Sequence, residues 1–445
     1  MKHPSIFVTV LVVLGLVGCG SESFDTSIAP VYQQVASAVP LRAAPVITAS
    51  SDDTIWLAWT EASSQSQSVV VARIGPRGGT AVTRIPALAT TTAIQGTQVV
   101  ANGTTVVLAW QESAGFSSHL RSARWDGSNW VTEGARGPGF SSNMRLVVAG
   151  TGDMYRLWYE FSDGGGSRLM SAQHVSSGGW SLPEVVRETG RFIISEPYTP
   201  VVAAAADGSL MTVWYEWDYS MTTERQPGVL WSSQFDPRSG KWAPAVAADS
   251  GYRYAPAVAS TDNGQWIVAW VGDVPGGRPG LWSKRHAGGV WEAGSQRIDT
   301  SFDEDPIEIS LDALGSKVRI AWTSKRAGTD SSCIVRAAGL NTDSGKWSAP
   351  VTLSELSHLF IDNVNVRNRS DGRAVATWGT VGNPANAGFA LSDASDNWQG
   401  RLLLDPDGRP GNNPAPVALT DVGFAVTWYR FNGDSLPDVL IRRLP

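Results

Sequence analysis

Apolar residues along this chain fall in short runs, and eight of these runs end on a tryptophan followed by polar residues. The first reads Ile55-Trp56-Leu57-Ala58-Trp59 and the last Phe424-Ala425-Val426-Thr427-Trp428. Between them the run ends at Trp110, Trp158, Trp214, Trp270, Trp322 and Trp378. Successive differences between these numbers are 51, 48, 56, 56, 52, 56 and 50. Self-similarity at such a period marks a solenoid or a propeller.

Each repeat follows one grammar. A first strand (Pro200–Ala203, Pro256–Ala259) leads into a tight turn, often Asn102-Gly103, Asp207-Gly208, Asn263-Gly264 or Asp371-Gly372. These dipeptides accept the positive φ of a two-residue hairpin. The Trp strand follows, then a variable polar loop and a third strand such as Val69–Arg73 or Val229–Ser232. A second turn ends in another Trp (130, 180, 242, 291, 347, 398) and a fourth strand closes the unit, as in Ala349–Leu353. Four strands in about 50 residues make a propeller blade. Helical repeats are excluded, because no segment spaces apolar residues by three and four over ten positions, and Gly and Pro are too dense.

The expected fold is therefore all-β: one propeller of eight four-stranded antiparallel blades over residues 29–445, with seven blades as the alternative. The eighth repeat stops after its third strand, Asp438–Arg442, while Pro30–Val35 stands unassigned at the front. That segment is predicted to complete the last blade, which removes an open sheet edge. Trp numbers 20 of 445 residues. Large rings fill the wedge between blades, and each buried indole removes about 150–250 Å² from water, an upper bound of about 4–6 kcal/mol.

Composition narrows the function. Charged residues are only 17% and the formal net charge is −6, with no long basic run, so nucleic acid is set aside as a partner. Lys2 followed by the apolar run Ile6–Val17 reads as a secretory signal, too short to span a bilayer. Its end, Leu16-Val17-Gly18-Cys19, resembles the bacterial lipobox. The resemblance implies a signal peptide over 1–18, a lipid on Cys19, a tether over 19–28 and, with Gly20 after the Cys, the outer membrane. Membrane contact would be through that anchor only, by a monomer. Cys333 is the other cysteine and reads as a buried apolar residue, so no disulfide supports the fold.

The turns Asp236-Pro237-Arg238-Ser239-Gly240-Lys241-Trp242 and Asn341-Thr342-Asp343-Ser344-Gly345-Lys346-Trp347 resemble the Asp-box of sialidase-like propellers, Ser-x-Asp-x-Gly-x-x-Trp. They also resemble the Trp-docking turns of eight-bladed quinoproteins. The likeness supports the propeller. The sialidase catalytic set of an arginine triad, a Tyr–Glu pair and an acid has no residue-by-residue counterpart here.

Candidate chemistry gathers where the second and third strands connect, because those loops are long and the opposite hairpins short. Two residues after the repeated Trp, blades 1 to 4 carry Glu61, Glu112, Glu160 and Glu216, while blades 5 to 8 carry Gly272, Ser324, Thr380 and Arg430. An offset of two puts each Glu on its tryptophan's side of the sheet. These carboxylates suit a cation, an amine, a sugar hydroxyl or an acid–base pair for glycoside cleavage. Alternatively they accept loop N–H groups or pair with an Arg such as Arg73 or Arg124. Trp217, Tyr219, Tyr252, Arg253, Tyr254 and Arg191 supply rings and cations for a sugar or peptide groove. Phe302-Asp303-Glu304-Asp305 reads as a solvated turn, and Asp405-Pro406-Asp407-Gly408 opens like a calcium loop without its closing Glu. No metal and no cofactor is expected: the histidines lack ligand spacing, and no phosphate or dinucleotide fingerprint appears. The reading is a lipid-anchored binding module for a glycan or protein, with a sialidase-like hydrolase or an envelope-assembly scaffold as alternatives.

Overall fold

The computed structural model describes residues 32–445 apart from 64–65, 89–90, 115–116, 162–166, 176–178, 190–200, 217–227, 252, 274–276, 302, 327–331, 358–359, 382–385, 401, 406, 422 and 434. The predicted signal peptide, Cys19 and the tether lie outside the described residues.

Eight antiparallel blades form the predicted wheel. In blade 1 the strands are Leu41–Ala49, Ile55–Ala62, Gln67–Ile74 and Thr80–Pro86, from axis to rim. Blade 6 repeats the order with Glu304–Leu314, Lys317–Arg326, Ser332–Asn341 and Val351–Ser357. Each inner strand touches the next around the axis, and that of blade 8, Gly411–Ala418, touches that of blade 1. The second strands are the most buried, since neighbouring blades cover both faces. Trp59, Trp110, Trp214, Trp270, Trp322, Trp378 and Trp428 have no exposed surface. The turn glycines adopt the positive φ their sequence suggests, 55° at Gly103 and 90° at Gly208.

Closure follows the predicted scheme. Tyr32–Ala36 pairs with the last strand, Ser435–Leu444, in the register Tyr32↔Arg442, Gln33↔Ile441 and Gln34↔Leu440. Val39 N–H donates to Pro437 O at 2.8 Å. On the hairpin side, the Asp53 carboxylate accepts Thr420 N–H at 2.6 Å and Asp421 N–H at 2.9 Å, tying blade 1 to blade 8.

One feature differs from the sequence reading. The fourth strand of blade 2 and the inner strand of blade 3 are one 19-residue strand, Trp130–Val148, so these two blades share an eight-stranded sheet.

The rim tryptophans fasten blades together. Trp180 Nε1–H donates to Ser122 Oγ at 2.7 Å, Trp291 to Ser232 at 3.1 Å and Trp347 to Ser283 at 2.8 Å. In each pair the Ser lies on the third strand of the preceding blade. Nearer the axis, side chains of blade 6 hold the backbone of blade 7. Ser310 Oγ accepts Val366 N–H at 3.0 Å and the Asp312 carboxylate accepts Asn368 N–H at 2.7 Å.

Two consequences are measurable. A Cβ on Gly388 would lie 2.7 Å from the Trp378 ring, its cross-strand partner. Gly388→Ala should cost about 1–3 kcal/mol by overpacking, read as a lower denaturation midpoint at unchanged slope. His286, 6% exposed against Trp291, is held neutral by burial, which lowers its pKa from 6.5. The unfolded chain therefore takes up its proton first. Stability from this group is full above 6.5 and is lost as the pH falls from there through the folded value. Replacing His286 by Gln should flatten thermal stability between pH values of about 7 and 5; an unchanged slope would contradict this.

Candidate functional site

The second strand of each blade carries its Trp toward a neighbouring blade, and the residue two further on lies on the same side near the strand's end. In blades 1 to 4 this geometry closes a short link. Trp59 Nε1–H donates to Glu61 at 3.0 Å, Trp110 to Glu112 at 2.8 Å, Trp158 to Glu160 at 3.0 Å and Trp214 to Glu216 at 2.9 Å. A buried indole N–H without an acceptor is costly, and the carboxylate satisfies it.

Arginines hold three of these carboxylates from the other side. Arg84 Nε donates to Glu61 at 3.1 Å, Arg121 Nη1 to Glu112 at 2.6 Å and Arg187 Nε to Glu216 at 3.1 Å. The predicted partners were Arg73 and Arg124. Arg73 instead lies over the rings of Trp56 and Trp125, at 5.7 and 5.5 Å. Glu112 is the most enclosed, 1% exposed, and also accepts Leu88 N–H at 3.0 Å and Thr91 Oγ1–H at 2.6 Å. Burial alone would raise its pKa. The hydrogen bonds from Thr91, Trp110, Leu88 and Arg121 outweigh that and hold the carboxyl below its usual range.

Blades 5 to 8 lack the acceptor. The indole nitrogens of Trp270, Trp322, Trp378 and Trp428 are buried with no hydrogen-bond partner among the described residues. In blade 8 the position holds a cation. Arg430, 4% exposed, pairs with Asp438 at 3.0 Å and Asp405 at 3.5 Å, and its Nη1 donates to Tyr32 Oη at 3.0 Å. Asp405, which opened a calcium-like sequence, thus serves the latch.

Of the loop residues, Trp217, Tyr219, Tyr252 and Arg191 lie outside the described residues, as does the Arg253 side chain. Tyr254 is described, and its hydroxyl donates to Pro306 O at 3.0 Å, joining blades 5 and 6. Among the described residues no cluster of His, Cys, Asp and Glu could hold a metal ion. Cys333 is buried, 3% exposed.

Two recesses were not read from the sequence. One is the axial channel, about 580 Å³, walled by the inner strands of blades 3 to 7. Its wall is mainly polar, with Asp312 and Arg367 3.5 Å apart, and Val201, Ala203, Ala257 and Ala259 add smaller apolar patches. Burial raises the Asp312 pKa against the opposing pull of Arg367 and Asn368. The other is a chamber of about 70 Å³ between blades 5 and 6, beside Trp322. Glu304 does not sit in a solvated turn: it is 6% exposed there and grips Arg336, whose Nε donates to it at 2.8 Å. The sequence signal for this site was the missing carboxylate two residues after Trp322.

The sequence matches no protein-family model and no curated protein. Solved structures are similar in shape. A prolyl endopeptidase superposes with a TM-score of 0.53 at 13% identity, over 88% of this chain and 55% of the other. A puromycin hydrolase in complex with PGG gives 0.50 at 15%, over 89% and 60%. The polysaccharide lyase Uly1 gives 0.48 at 10%, over 86% and 94%. The chain thus spans little more than half the length of the first two enzymes. At these identities the likeness to the first two shows a shared fold and nothing finer.

Proposed function

We propose that this protein is a binding module, held at a bacterial cell envelope through a lipid on Cys19, that takes a glycan or a protein on the face carrying its long loops. One observation carries the reading. Three of the four carboxylates best placed in sequence for glycoside chemistry are spent on the scaffold. A glycoside hydrolase needs two carboxyls about 5–9.5 Å apart that both reach the sugar. Glu61, Glu112 and Glu216 are instead buried, each bonded to an indole and an arginine. What remains is a rigid wheel that displays loops, the arrangement binding proteins use. The prolyl endopeptidase and the puromycin hydrolase are longer chains, and no chemistry is carried over from the enzymes of similar shape.

A glycan array probed with the soluble 29–445 fragment, beside an affinity capture from envelope extract, tests the proposal. Saturable binding of a glycan class, or of a single envelope protein, without cleavage is expected. Turnover of a glycoside substrate would overturn it. Capture spread over several assembly proteins with no glycan signal would favour a scaffold. Cys19→Ala should move the protein from the membrane to the soluble fraction, and unchanged fractionation would refute the anchor.

A further inference from the structure

The chamber between blades 5 and 6 has the construction of a ligand subsite. It lies beside Asp299, Thr300, Ser301 and Glu304, between the outer strand of blade 5 and the inner strand of blade 6, next to the end of the Trp322 strand, and so on the long-loop face. Trp322 is fully buried and lines the chamber, yet its indole N–H has no acceptor among the described residues. In blades 1 to 4 a glutamate fills this place. Here Ser324 stands at that position, too short to reach, and its own hydroxyl is buried without a partner among the described residues.

The surrounding charges are already matched. Glu304 is paired with Arg336, and Asp299 accepts Arg297 Nη2 at 2.6 Å. The chamber therefore offers no net charge to an anion or a metal ion. Beside it lie the indole N–H, which has no acceptor among the described residues, and carboxylate oxygens with lone pairs to spare. A group that accepts one hydrogen bond and donates another fits this set, and a hydroxyl does both. At about 70 Å³ the space exceeds what one water needs, about 10–15 Å³.

We propose that this chamber is a hydroxyl-binding subsite, in which a neutral polyol or sugar seats a hydroxyl between Trp322 Nε1–H and the carboxylates of Glu304 and Asp299. The subsite rests on the binding-module reading and names the chemistry of one contact within it. A ligand hydroxyl and solvent share this chemistry, and titration separates the two.

The test follows the ¹H–¹⁵N indole signal of Trp322 in the folded propeller, assigned by its disappearance in Trp322→Phe. Glycerol and a methyl hexoside are the probes, with acetate as the anionic control. The signal should shift saturably with a neutral probe and stay still with acetate. In Ser324→Gln the amide oxygen reaches the indole and the amide N–H faces Glu304, so the chamber is filled from within. This variant should fold with an equal or higher Tm and lose the response at least tenfold. A signal unmoved by either neutral probe means solvent only and overturns the subsite, as does a response to acetate or one that Ser324→Gln leaves intact. Array binding with a still Trp322 signal defeats this subsite alone, whereas glycan turnover defeats the module reading whatever Trp322 does.

Discussion

Truncating Glu112 to alanine should cost about 3–5 kcal/mol, the loss expected when one member of a buried ion pair is removed. The variant takes from Arg121, with 11% of its side chain exposed, its ion-pair partner. It also strips an acceptor from Trp110, from Leu88 N–H and from Thr91. Glu160→Ala is the contrast. Glu160 is half-buried and accepts the Trp158 indole, so its loss should cost about 1 kcal/mol. Arg84→Ala should change little, because Arg84 is 61% exposed and an exposed pair contributes at most about 1 kcal/mol. Urea midpoints of the three variants give the ranking. If Glu112→Ala were no worse than Glu160→Ala, the structural role assigned to the ring carboxylates would fail. Acid adds a check. The Glu112 pKa lies below 4.5, so its contribution is complete above that value and is lost as the pH falls through the folded pKa. Glu112→Gln should lose that part of the acid limb.

Removing residues 1–40 should be the other large perturbation. It takes the outer strand from blade 8, with the buried Val35 and Val39, and the Tyr32 ring that packs against Trp428 and under Arg430. The two valines alone amount to about 3–6 kcal/mol at the usual value for a buried aliphatic side chain. The last strand, Ser435–Leu444, would then be an open edge, which invites pairing with a second chain. A much lower Tm together with concentration-dependent association is the expected result. A truncated protein that stays monomeric at the parent Tm would mean that the wheel closes some other way.

Much of the architecture could be read in advance because it is written in single residues. The Trp period gives the blades, the Asn-Gly and Asp-Gly pairs give the hairpins, and the incomplete last repeat beside a spare first strand gives the latch. The position of the four glutamates was legible too, since an offset of two within a strand leaves no freedom. Their partners were not. Arg84 comes from the fourth strand of its own blade, Arg121 from the third strand of its own, and Arg187 from the blade before. Only blade packing decides which guanidinium arrives. Glu304 misled for a related reason. Three acids in a row look solvated, but the chain enters blade 6 there and Arg336 draws one of them inside. The long strand Trp130–Val148 hid because its glycines read as punctuation, whereas the backbone runs through them from one blade into the next.

Closure fixes the faces and the depth of every residue discussed, so it is the claim to test first. Amide hydrogen exchange on the intact propeller, resolved at residues 32–36 and 438–442, does so without altering the chain. If the first strand is an integral part of blade 8, both segments should exchange together, at the slow rate set by opening of the whole blade. Exchange of residues 32–36 at free-chain rates, with 438–442 still protected, would show that the ring is not held by its two ends.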